Sequence, residues 1–163
     1  MTPGPSCTVI VPAYNASQTI GRTLTSIREA VAFARNKGKA GECEILVVDD
    51  RSTDDSVPVA QAYDSSDCPI RILRHAENLG AGCARNTGAS QAKGDILFFL
   101  DADDLYLPSH IAVCVEAFRQ KSHIDFVCTR FGTSRPVHPS WIAAISGAAV
   151  GPFAIRRDAH KRM

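Results

Sequence analysis

The chain has 163 residues, 45% hydrophobic and 21% charged, which is enough for a single soluble domain with a real core. A net charge of +1 gives no electrostatic ground for binding nucleic acid or an anionic membrane, so partners must be read from local sites. The six cysteines, Cys7, Cys43, Cys68, Cys83, Cys114 and Cys128, form no CxxC pair and have no histidine at zinc spacing. That pattern argues for reduced core thiols in a cytoplasmic protein rather than a zinc site or a disulfide framework.

Residues 1–6 read as a flexible lead without the basic and apolar regions of a secretion signal. Residues 7–12 are continuously apolar and predict a buried first strand. Ser17 is placed to cap a helix with Ile20, Leu24, Ile27 and Val31 on one face, ending near Gly38. Residues 44–48 predict a second strand, 49–54 a polar loop, and a helix follows with Pro58 in its first turn. A third strand is expected at 70–73, a Gly-containing loop at 75–82, and a small-residue helix from about 83 to 92.

Residues 96–100 predict a fourth strand, and a helix from Pro108 to about Gln120 buries Ile111, Val115 and Phe118. A fifth strand is expected at 124–128, after which the periodicity fades. The apolar stretch 141–155 is broken by Ser146, Gly147, Gly151 and Pro152, too short and interrupted to span a bilayer. Nearly continuously apolar strands alternating with helices predict an α/β fold: a Rossmann-like sandwich with a mostly parallel central sheet covered by helices on both faces. Ligands of such sheets gather outside the carboxyl ends of the strands.

Three polar loops fall at those ends. The first is Pro12-Ala-Tyr14-Asn15, the second Asp49-Asp50-Arg51-Ser52-Thr53-Asp54, and the third Asp101-Ala102-Asp103-Asp104. Together they offer an aromatic face, acceptors for a base or ribose, and paired carboxylates for a hard divalent cation, the needs of a nucleoside diphosphate. In extended chain Asp101 and Asp103 point to one side, and the small Ala102 between them leaves room for a ligand. Three carboxylates this close repel one another unless a cation or hydrogen-bond donors compensate. Tyr14 reads equally as a half-buried aromatic or a base contact, Asp54 as a helix cap, and Arg85 and Asn86 as a solvated face or a contact to an anion. No GxGxxG follows the first strand, which makes a dinucleotide-binding oxidoreductase a poor reading.

The segments 8–15, 45–54, Asn78-Leu-Gly80-Ala-Gly-Cys-Ala-Arg85-Asn86-Thr-Gly88 and 100–104 resemble, in order, the motifs of family 2 glycosyltransferases of the GT-A fold. The likeness covers about residues 6 to 130. It implies metal-assisted transfer of a sugar from a nucleotide-diphosphate sugar to an acceptor such as a polysaccharide, lipid-linked or cell-envelope glycan, usually with inversion. It places Pro12, Tyr14, Asn15 and Asp50 in the nucleoside pocket, with Asp50 accepting a base N–H. Asp101, Ala102 and Asp103 then stand on the diphosphate, Asp103 and Asp101 holding Mg²⁺ or Mn²⁺, and Arg85 supports the nucleotide side. Arg51 stands where the family commonly has Gly.

The resemblance further implies three stretches: the lead 1–6, a nucleotide-sugar-binding core 7–130, and the incomplete start of an acceptor-side region at 131–163. The family's catalytic base comes from an acidic motif expected beyond Met163; Asp125 and Asp158 do not replace it. The basic cluster Arg156, Arg157, Lys161 and Arg162 is expected to be solvated, with possible peripheral membrane contact through a lipid-linked acceptor. Nucleic acid is not an expected partner. A non-catalytic nucleotide-sugar-binding fragment is the alternative reading, and nucleotidyl transfer is a further one.

Overall fold

A run that is apolar except for Thr8 forms strand β1 (Cys7–Ala13), every residue of which is buried. A computed structural model describes residues 4–129 and 153–161. After β1 come α1 (Ile20–Asn36), β2 (Cys43–Asp49), α2 (Ser56–Gln61), β3 (Ile70–Arg74), α3 (Ala81–Gln91), β4 (Ile96–Phe99), α4 (His110–Gln120) and β5 (Phe126–Cys128), then β6 (Phe153–Arg156) and the short α5 (Arg157–His160). The described strands form one sheet in the order β3-β2-β1-β4-β6-β5. Strands β1 to β4 run parallel, and β6 is antiparallel to both β4 and β5.

The strands are apolar at successive positions because both faces of the sheet are covered. Val9, Val11, Ile45, Val47 and Phe98 point to one face and pack with Ile20, Leu24 and Ile27 of α1 and Ile111, Val115 and Phe118 of α4. Ile10, Leu46, Val48, Leu97 and Phe99 point to the other, against Ala84 and Ala89 of α3 and Ala159 of α5. Each fully buried aliphatic side chain stabilises the fold by roughly 1.5–3 kcal/mol relative to exposure. On the second face the helix comes unusually close: a Cβ on Gly88 would lie 2.4 Å from Ile10 Cγ2.

One acidic side chain sits inside this frame at the amino edge of the sheet. Glu44 is 9% exposed. Its Oε1 accepts the Thr8 hydroxyl and the Lys93 N–H, each at 2.9 Å, and its Oε2 meets Arg71 Nη1 at 3.1 Å. A carboxylate so fully partnered can be tolerated at low exposure.

The predicted α/β sandwich and its mostly parallel sheet are what the structure shows, with five strands and four helices near their expected positions. Three local expectations need correction. Ser17 does not cap α1: the cap residue is Thr19, with no side-chain cap bond, and the Ser17 N–H donates to Asp54 Oδ2 at 3.0 Å. Arg156 is not simply solvated. Its guanidinium lies 5.1 Å from the Phe118 ring centre and donates to the carbonyls of Ile124 (3.0 Å) and Phe118 (2.8 Å). The fifth strand starts at Phe126, later than Ile124, and shares its ladder with the unforeseen β6. Most of the apolar stretch 141–155, and Arg162 of the basic cluster, lie outside the described residues.

Candidate active site

From β1 the chain proceeds to β2 and β3 on one side, whereas β4 pairs on the other side of β1. The strand order therefore reverses between β1 and β4, which opens a crevice at their carboxyl ends. Strand β1 overhangs β4: their ladder ends at Ile10 opposite Phe99, with the Leu100 N–H donating to the Ile10 carbonyl. Backbone groups alternate sides along a strand, so the N–H that Pro12 lacks would have faced β4 just where that ladder has ended. Proline thus costs no ladder bond, and the overhang becomes the floor of the crevice.

The first two loops are clasped side chain to backbone. Ser52 Oγ accepts the Asn15 N–H (2.9 Å), Asn15 Oδ1 accepts the Thr53 N–H (2.8 Å), and Ser56 Oγ accepts the Ala16 N–H (2.7 Å). Asp54 joins the same clasp, accepting the Ser17 and Ser56 N–H groups at 3.0 Å each. Burial alone raises a carboxyl pKa, but here the Ser56 and Ser17 donors outweigh it and hold Asp54 well below the carboxylate range. Asn15 and Arg51 both take positive φ, 50° and 65°. Arginine therefore keeps the left-handed turn for which the family's glycine is suited, at about 1 kcal/mol of backbone cost, and its guanidinium bonds the Ala76 carbonyl.

Asp49 and Asp50 divide their duties. Asp49 is fully buried; its Oδ1 accepts the Ser52 N–H at 3.1 Å, and Arg74 Nε lies 3.0 Å from Oδ2 in an ionic contact outside hydrogen-bond alignment. It shapes the turn. Asp50 lines the crevice. Its Oδ1 lies 2.7 Å from His75 Nδ1 and accepts the Leu79 N–H at 2.9 Å, and its Oδ2 accepts the Gly80 N–H at 2.7 Å. Gly80 has φ 86° and ψ 159°, a backbone shape only glycine adopts readily, and this turns its N–H toward Asp50. Burial raises the Asp50 pKa, but the Leu79 N–H, the His75 ring and the Gly80 N–H together lower it below the ordinary range, so the group is ionised at neutral pH.

At the end of β4, Asp101 and Asp103 face the same crevice across the buried Ala102. Arg85 of α3 pairs with Asp101 Oδ1. The Thr23 hydroxyl of α1 lies 2.9 Å from the carbonyls of both Ala102 and Asp104, and Ser26 Oγ accepts the Tyr106 N–H at 3.1 Å. Asp104 is pushed above the ordinary carboxylate range by burial first, then by Asp103 and Asp101, the mutual repulsion expected of this cluster. Among the described residues no three His, Cys, Asp or Glu side chains converge into a ready-made metal cage. Two carboxylates on an open crevice instead fit a hard divalent ion that takes its remaining ligands from phosphate and water.

Pro12, Tyr14, Asn15, Asp50, Asp101, Ala102 and Asp103 are thus gathered around one cleft of about 390 Å³, together with Ala13, Ala16, Thr19 and Ala81. Tyr14 is 53% exposed there, free to offer its face to a planar ligand. Arg85 does not line the cleft; it pairs with Asp101, which does. Sequence reasoning missed the roles of His75, Ser52, Ser56 and Thr23. For Ser52 and Ser56 the signal available was hydroxyls in and just after a loop, which bond nearby backbone, whereas Thr23 and His75 act on partners far along the chain. A larger cavity of about 810 Å³ lies at the opposite edge of the sheet, between Pro5, Ile96, Phe118 and Arg156. It holds none of the strand-end motifs, all of which border the smaller cleft or the loops beside it.

Comparison with known proteins bears on the family and the fold. The chain is 37% identical over 103 residues to the succinoglycan biosynthesis protein ExoU of Rhizobium meliloti, covering 63% of this chain and 28% of that protein. The mannosyltransferase PcManGT of Pyrobaculum calidifontis, solved with GDP-Man and Mn2+, superposes with a TM-score of 0.76 at 24% identity, covering 99% of this chain and 47% of that one. S. aureus TarS in complex with UDP-GlcNAc gives a TM-score of 0.70 at 24% identity, covering 96% and 47%. The chain therefore spans less than half the length of each. The sequence model described as glycosyl transferase family 2 matches residues 8–160. With the family's motifs meeting at one cleft on the family's fold, this chain belongs to glycosyl transferase family 2.

Proposed function

We propose that the cleft holds a nucleotide-diphosphate sugar and that the protein transfers the sugar, with inversion, to a hydroxyl of a polysaccharide, lipid-linked or other cell-envelope acceptor. The observation that carries this reading is the meeting of Tyr14, Asp50, Asp101 and Asp103 around one opening at the strand-order reversal. Tyr14 offers a stacking face to the base, and Asp50 an ionised acceptor for a base N–H. Asp103 and Asp101 would hold Mg²⁺ or Mn²⁺, which when bound supplies positive charge against the departing diphosphate. Arg85 orients Asp101 for that task. The donor side falls within 7–130 in this reading, and 131–163 begins the acceptor side.

Asp50, Asp101 and Asp103 are all committed to the donor. The base that takes the acceptor proton is accordingly read as lying outside residues 4–129. That same commitment supports a second reading, in which these 163 residues bind the donor without turning it over. Transfer and donor hydrolysis assayed against a panel of glycan and lipid-linked acceptors separate the two, since any turnover rules out binding alone. For the donor site itself, calorimetry of UDP and GDP with Mn²⁺ is the direct test. Asp103→Ala should abolish the metal-dependent part of binding; unchanged metal-dependent binding in that variant would remove Asp103 from the metal.

A further inference from the structure

The protein's own donors already occupy most of the Asp50 carboxylate. An ionised carboxylate has about four acceptor positions, two on each oxygen. Oδ1 uses both of its positions, on His75 Nδ1 and the Leu79 N–H. Oδ2 uses one, on the Gly80 N–H. One position remains, on a residue that lines the cleft.

His75 is what closes Oδ1. Its side chain is 9% exposed, its Nε2 lies 2.9 Å from Thr87 Oγ1 on α3, and its Nδ1 faces Asp50 at 2.7 Å. Because Asp50 is ionised, Nδ1 carries the hydrogen in this contact, whether the ring is neutral or cationic. In the neutral ring Nε2 accepts from the Thr87 hydroxyl; in the cation it donates. Either way, Thr87 fixes the ring plane and the ring fills the acceptor position that a ligand would otherwise use.

We infer that Asp50, held by His75 and Thr87, selects a nucleotide base with a single imide N–H flanked by carbonyls, as in uracil or thymine, and discriminates against guanine. The inference rests on the nucleoside-diphosphate reading of the cleft. Guanine presents two adjacent donors, N1–H and the 2-amino group, which pair with a carboxylate through both oxygens, and Oδ1 has no position left for the second. A guanine docked here can pair N1–H with Oδ2 but must leave its 2-amino group without the carboxylate bond that normally accompanies it. Cytosine turns a ring-nitrogen lone pair toward the anionic carboxylate. The single N3–H of uracil or thymine matches the single vacant acceptor. His75 is a positioning residue in this scheme, acting through Asp50.

The test is calorimetry of the 163-residue chain with Mn²⁺ and, in turn, UDP, GDP, CDP and UDP methylated at N3. UDP should bind at least about tenfold tighter than the other three, the cost of one polar group left without its partner: the 2-amino group in GDP, and the vacant Asp50 acceptor in CDP and N3-methylated UDP. GDP binding as tightly as UDP overturns the base assignment and leaves the nucleotide reading standing. Failure of all four nucleotides to bind removes the nucleotide reading and this inference with it. The role of His75 is read from the UDP-to-GDP affinity ratio, which a purely structural side chain would not move. The ratio should fall toward one in His75→Ala, which frees Oδ1, and recover in His75→Asn, whose amide N–H can take the place of Nδ1–H. A ratio unchanged in His75→Ala overturns the positioning role.

Discussion

Arg85, on the second turn of α3, sets its guanidinium against Oδ1 of Asp101 at the carboxyl end of β4. The pair joins the helix that follows β3 to the carboxylates of the third loop, and both side chains remain partly exposed, 30% and 46%. At that exposure an ion pair contributes no more than about 1 kcal/mol to folding. Its worth lies in orienting a carboxylate that faces the cleft. Arg85→Ala should leave thermal stability nearly unchanged and weaken Mn²⁺-dependent UDP binding about tenfold, with Arg85→Lys intermediate because ammonium lacks the planar fork. A stability loss with unaltered binding would assign Arg85 to the fold alone.

His110 opens α4 and stacks on Tyr106 with ring centres 4.1 Å apart, edge-on to Phe98 at 6.2 Å. Burial lowers its pKa to about 4. The folded state therefore resists protonation while the unfolded chain protonates near pH 6.5. The histidine's stabilising contribution is complete above pH 6.5 and declines as pH falls toward 4. Between pH 7 and 5 this group alone should cost about 2 kcal/mol. Urea unfolding across that range should show the slope in the native chain and a much flatter profile in His110→Gln, whose side chain does not titrate.

The hydrogen in place of a side chain at Gly88 is a packing requirement. A methyl there would stand 2.4 Å from Ile10 Cγ2 and 3.3 Å from Val48 Cγ2. Gly88→Ala should destabilise by about 1–3 kcal/mol despite alanine's better helix propensity. The offending methyl disappears in Ile10→Ala, so the double variant should lose measurably less than the sum of the singles. Simple additivity in denaturant midpoints would show that α3 shifts instead.

Thr23 has one hydroxyl hydrogen and two carbonyls, of Ala102 and Asp104, at 2.9 Å. It fixes the loop carrying Asp103 from the side of α1. Thr23→Val keeps the volume and removes the donor, which should cost about 1–2 kcal/mol of stability. Metal-dependent nucleotide affinity should fall with it, whereas Thr23→Ser should restore both. Affinity unchanged in Thr23→Val would mean that Ser26 and Tyr106 hold the loop unaided.

Much of the fold was legible because its determinants are local. Largely apolar runs of strand length at 7–12, 44–48 and 96–100, separated by helical spacings such as Ile20, Leu24, Ile27 and Val31, leave few alternatives to a doubly covered parallel sheet. The three acidic or aromatic loops at strand ends were legible for the same reason. Strand β6 was not: four residues ending in Arg156 carry too little periodicity, and they become a strand only because β4 and β5 stand on either side. Ser17 failed as a cap because the helix starts only at Ile20, after a turn in which the Thr19 and Ile20 N–H groups bond the Ala16 carbonyl, while the Ser17 N–H is held by Asp54 of the second loop.

By itself, then, the sequence determined the alternation of strand and helix, the α/β class, and the carboxylates and aromatic that could serve a nucleotide. Tertiary structure alone decided how those groups are held. It placed His75 of the loop after β3 on the Asp50 carboxylate, kept Arg51 in a left-handed turn without glycine, and tied the third loop to α1 through Thr23. Local pattern fixes which backbone each residue prefers. Which acceptor positions of a buried carboxylate remain free depends on donors tens of residues away, and only the closed sheet brings those together.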